Sequence, residues 1–170
     1  MAFLSLVLLL CPQYILATEY LSPQNFVAQS FEKPPRLRTL WLNEEHQLLA
    51  KRTLGHAYRG LRVRYWQYDT KTAWILDEIG KEKPITIGVV LDSNKIEKIT
   101  ILAFRESRGG EVRHPFFTHQ FSGLFLKDNA ELSDRIDGIS GATMSVRAVS
   151  NVSRFALALA ESLAAEESGE

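Results

Sequence analysis

Leu61, Val63 and Tyr65 alternate with Arg62 and Arg64, the period of a strand that buries one face. Residues 72–76, 85–91 and 96–104 read as three further strands, rich in β-branched and aromatic side chains. Asp69-Thr70-Lys71 and Asp92-Ser93-Asn94-Lys95 carry turn-forming residues, and residues 81–84 make a polar break. Together they predict an antiparallel meander. Downstream, Val146, Val149, Val152, Phe155, Ala156, Leu159 and Leu163 recur at spacings of three and four. That pattern predicts an amphipathic helix over residues 145–165, about five turns, with Arg147, Asn151, Arg154 and Glu161 on its polar face. Upstream, residues 38–58 hold a shorter helix: Asn43 caps it, Glu44 and Glu45 occupy its first turn, and Gly55 lies near its end. Residues 18–36, with Pro23 and Pro34-Pro35, read as an irregular lead-in. The expected fold class is α+β, an antiparallel sheet with helices packed on one side and a long C-terminal helix.

The chain has 170 residues, the size of one domain. Twenty basic residues balance twenty acidic ones, which argues against a nucleic-acid partner. A single cysteine, Cys11, excludes an intrachain disulfide or a cysteine-built zinc site. Residues 1–17 carry no charge, are apolar from Phe3 to Leu10 and end in the small residue Ala17. They read as a secretory signal cleaved near Ala17; an uncleaved anchor and a start further upstream are the other readings, because no Lys or Arg precedes the apolar run. The expected organisation is a signal over 1–17, a lead-in with a helix over 18–60, a domain over 61–165 and a tail over 166–170.

The most informative stretch is Asp137-Gly138-Ile139-Ser140-Gly141-Ala142-Thr143, directly before the long helix. Gly138 and Gly141 permit a tight backbone that a bulky group can approach. Ser140, Thr143 and Ser145 supply hydroxyls, and the helix N-terminus behind them suits a phosphate. An ordinary Ser/Thr-rich helix cap is the competing reading. No P-loop lysine and no Gly-x-Gly-x-x-Gly is present, so nucleotide hydrolysis is unsupported.

This stretch resembles the flavinylation motif Asp-x-x-(Ser/Thr)-Gly-Ala-(Thr/Ser) of FMN-binding domain proteins, the group that includes the flavin-carrying subunits of the sodium-pumping NADH:quinone oxidoreductase and of the Rnf complex. Residues 89–104 look like the strand–turn–strand that precedes the motif, and residues 105–113 resemble the loop that follows it in small soluble members. The resemblance implies FMN joined through its phosphate to Thr143, attached by a periplasmic flavin transferase that uses FAD as donor. It implies a periplasmic flavoprotein, free or membrane-associated, serving membrane redox proteins or cytochromes. Asp137, Gly138, Ser140, Gly141, Ala142 and Ser145 would line the attachment site, with Glu106, Ser107, Arg108 and Gly109 beside the ring.

Read on their own, Glu106, Arg108, Glu111 and Arg113 are equally a solvated charge cluster. Phe116, Phe117, Phe121 and Phe125 are core or lid residues. His114 and His119 share no helix face and lack further ligands for a metal, while His46 and His56 read as surface residues. Two other functions stay open: a flavin-dependent reductase using Glu106 or His119 as proton donor, and a cofactor-free adaptor domain.

Overall fold

A computed structural model describes residues 18–168. Its centre is a six-stranded antiparallel sheet: β1 (Thr18–Glu19), β2 (Arg36–Trp41), β3 (Arg62–Tyr68), β4 (Lys71–Ile79), β5 (Pro84–Asp92) and β6 (Lys95–Phe104), in the order β1-β6-β5-β4-β3-β2. The four strands from β3 to β6 form the expected meander, each paired antiparallel with the next. The β5–β6 turn is tight because Ser93 and Asn94 both take positive φ, 49° and 60°, the geometry of a two-residue hairpin turn. Two register shifts interrupt the β5–β6 ladder, between Val90 and Leu91 and between Thr86 and Ile87. The second places Leu102 where its carbonyl accepts the Tyr20 and Leu21 N–H groups at 2.8 and 3.2 Å, so the chain entering from β1 is fastened beside the end of β6.

The helices are α1 (Pro23–Ser30), α2 (Glu44–Thr53), the short α3 (Pro115–Thr118) and α4 (Thr143–Ser168). α4 lies across one face of the sheet, burying Val149, Val152, Phe155, Ala156 and Leu159 against Trp74, Ile85, Ile87 and Val89. This is the main core. Its last turn enters the segment read as a tail. The α2 cap is as expected: Asn43 Oδ1 accepts from the His46 N–H at 3.0 Å, and the chain leaves through Gly55 at φ +86°.

Three expectations need correction. The lead-in is ordered: α1 is capped by Ser22 and lays Phe26 and Val27 on the other face of the sheet, over Ala73, Val90 and Leu102. β2 went unread because its arginines and exposed Leu37 and Trp41 hide the single inward Leu40. His46 is buried, its Nδ1 accepting the Asn43 N–H and its Nε2 lying 3.3 Å from Ser162 Oγ. The secretory-signal reading of residues 1–17 falls outside the described residues. Among the described residues, no helix is long and apolar enough to cross a membrane.

Candidate functional site

The motif before α4 is a turn with a purpose visible in its hydrogen bonds. The Ala142 N–H donates to the Ile139 carbonyl at 3.0 Å, and Gly141, third in that turn, sits at φ +81°. This corner is the type that demands glycine at its third position. Gly138 has no such constraint: its φ is not left-handed, and a Cβ there would meet nothing within 4 Å. The Asp137 N–H donates to Gln120 Oε1 at 2.7 Å, which ties the start of the motif to the segment after α3.

Thr143 is the first residue of α4 and is exposed. The residue before it, Ala142, has no side-chain oxygen, so the helix is not capped by Ser or Thr. The first intrahelical bond runs from the Val146 N–H to the Ala142 carbonyl at 2.9 Å. The N–H groups of Thr143, Met144 and Ser145 precede it and lack intrahelical partners. An ordinary cap, the competing reading of the hydroxyls, is therefore absent. What stands in its place is an open helix start with a hydroxyl at its mouth.

The loop after β6 comes to the same place. Gly109 takes φ +89° and opens a 3-10 turn, Gly110–Arg113. It lies so close to α4 that a Cβ on it would strike Ser145 Oγ, and Ser145 is buried by the contact. A cleft of about 490 Å³ opens here, lined by Ser107, Arg108, Gly109, Ser140, Gly141 and Tyr20 among others. Arg108 is exposed and makes no hydrogen bond or ion pair among the described residues. Arg113 is engaged, its guanidinium 5.0 Å from the centre of the Tyr20 ring. Tyr20 was invisible to sequence reasoning because nothing in the lead-in marked it. Gln120 likewise carries no local signal.

Glu106 does not face the cleft as a free acid. Its Oε1 accepts the N–H groups of Lys81, Glu82 and Lys83 at 2.6, 2.6 and 2.8 Å, fixing the connection between β4 and β5. Burial pushes its pKa up, but the three N–H donors and the Lys83 ammonium outweigh this and hold it below the usual glutamate value. It stays ionised, which removes it as a proton donor. His119 lies in a different groove, along the β6 edge with Ile99 and Ile101. Phe117 and Phe121 are core residues meeting edge to face at 5.4 Å, whereas Phe116 and Phe125 are exposed. Among the described residues no His, Cys, Asp and Glu cluster has the makings of a metal site.

The residues present fit a phosphate-bearing group. Unpaired helix N–H groups and a free guanidinium offer charge-assisted donors, and at Gly141 a Cβ would meet nothing within 4 Å, so the backbone there is open to such a group. Residues 80–158 match the family model of the FMN-binding domain, a span running from the end of β4 through the first turns of α4. It contains both the 106–110 loop and the 137–145 motif. A comparison with curated proteins returned no match. What the match supports is an FMN-binding domain over residues 80–158.

Proposed function

We propose that this chain carries FMN covalently, through a phosphoester on Thr143 Oγ1, and works outside the cytoplasm as an electron-transfer protein. The observation that carries the reading is the exposed Thr143 hydroxyl at the mouth of an uncapped helix. When bound, FMN supplies the redox chemistry, accepting two electrons and releasing them singly. Thr143 anchors the cofactor, the N–H groups of the first α4 turn face its phosphate, and Arg108 offsets negative charge beside it. By resemblance, a flavin transferase attaches FMN from FAD: the threonine oxygen takes the FMN-side phosphorus, loses its proton and releases AMP. Export by residues 1–17 would bring the chain to a periplasmic transferase and to membrane redox proteins or cytochromes. A reductase acting on its own substrate is less well served, since Glu106 is held ionised and His119 lies in another groove.

The test is the intact mass of protein exported alongside an active flavin transferase. Wild type should gain one FMN less one water. Thr143→Ala should fold, since alanine suits a helix start, and should gain nothing. Thr143→Ser should retain some label, and Ser140→Ala should keep it. A wild-type chain that never acquires FMN would end this reading, and a label lost in Ser140→Ala but not in Thr143→Ala would move the site.

A further inference from the structure

We propose that the cleft between the α2–β3 connection and α4 is a second binding site, for a small organic anion with a carboxylate on an apolar body. The cleft has a volume of about 970 Å³, within the range of small-molecule sites. Its apolar side is made by Leu54, Pro84 and Tyr58, the last braced at 5.4 Å against Phe155. The Tyr58 hydroxyl makes no hydrogen bond among the described residues, and burial, with Asp77 and Glu78 nearby, keeps it protonated.

The charges around the cleft leave cations over. Of its two carboxylates, Asp77 accepts from the Thr86 hydroxyl at 2.5 Å and Glu78 is engaged by His56 at 3.0 Å. Arg52 and Arg154 are held in the wall, Arg52 by the Asp128 carbonyl and Arg154 by Thr53, Asn151 and Glu131. Arg59 and Arg147 also line the cleft, are exposed, and have no hydrogen bond or ion pair among the described residues. Two planar guanidiniums beside an apolar wall and a phenol match a carboxylate with a hydrophobic body. A fully hydrated ion would leave that wall unused.

The inference does not depend on the flavin. Benzoate and inorganic phosphate are titrated separately into the full-length protein, followed by amide and arginine Nε–H NMR signals. Benzoate should saturate, moving signals of residues 55–60 and of Arg147, and should bind at least tenfold more tightly than phosphate. Replacing both Arg59→Gln and Arg147→Gln should weaken benzoate at least tenfold. If the double variant fails to fold, Arg147→Gln alone should weaken it about threefold. Absence of saturation, shifts confined to residues 106–110, equal affinity for phosphate, or undiminished binding in the variants would overturn the proposal. Protein already loaded with FMN should bind benzoate equally well. Loss on loading would give this cleft to the flavin and overturn a separate site, while failure to load bears only on the reading of Thr143.

Discussion

Gly109 backs directly onto Ser145, with no room for a single methyl group between them. This contact joins the loop after β6 to the first turn of α4, and with it the two stretches that line the cleft. Gly109 also sits at φ +89°, where an L side chain costs about 1–2 kcal/mol.

Gly109→Ala should therefore destabilise the domain by about 2–5 kcal/mol, summing left-handed strain and overpacking. Ser145→Ala in the same chain should recover part of the loss by removing the oxygen in the way. Denaturant unfolding of the two single variants and the double variant measures the coupling. Strict additivity would show that the two residues do not press on each other.

Arg108 is the free cation of the cleft. On the flavin reading, Arg108→Ala should lower the flavin potential, because the reduced ring carries more negative charge than the oxidised one. An exposed contact belongs at the low end of charge-assisted bonds, about 1.5 kcal/mol, or about 30 mV for a two-electron couple. Attachment at Thr143 should be unaffected. An unchanged potential would return Arg108 to the solvated surface.

The meander, the α2 cap and α4 were legible because each rests on local periodicity or on a capping residue. The motif was legible because Gly141 and the hydroxyls flank a strong helical signal. What stayed hidden depends on contacts between distant segments. Nothing near Glu106 reveals that its carboxylate closes the turn at Lys81, Glu82 and Lys83. Asn151 and Arg154 read as a polar face, yet Asn151 is buried against the Leu54 carbonyl and Arg154 reaches Thr53. α1 was missed because its two buried apolar residues, Phe26 and Val27, are too few to give a period.

Glu106 organises the β4–β5 connection through one oxygen shared by three N–H donors. Glu106→Ala should leave those donors to water and destabilise the fold by about 1–3 kcal/mol, the range for bonds to a charged group discounted for partial exposure. Glu106→Gln keeps an acceptor and should lose less. Because folding lowers this carboxyl's pKa, its stabilisation is present above the unfolded value near 4.3. It should fade as the pH falls through the lower folded value. Amide exchange at residues 81–83 is the direct check. Unchanged protection in Glu106→Ala would remove the carboxylate from this role.

His56 makes stability depend on pH in the opposite direction. Its Nδ1 lies 3.0 Å from the Ala57 carbonyl, and its Nε2 lies 3.0 and 3.2 Å from the two oxygens of buried Glu78. The bond to Ala57 raises the imidazole pKa most and the bond to Glu78 raises it further; burial and the Arg59 charge oppose them without cancelling the rise. Folding thus favours the protonated ring. The resulting stability is fully present below the unfolded pKa near 6.5 and disappears as the pH rises through the higher folded value. The side chain is 49% exposed, so solvent screening limits the effect to about 0.5–1 kcal/mol. That corresponds to roughly 1–4 °C in Tm for a chain of this size. The Tm advantage of wild type over His56→Gln should be larger at pH 6 than at pH 9. Glu78→Gln should bring the His56 pKa, followed by NMR, back towards its ordinary value. A Tm difference independent of pH would mean that the His56–Glu78 pair is not coupled to folding.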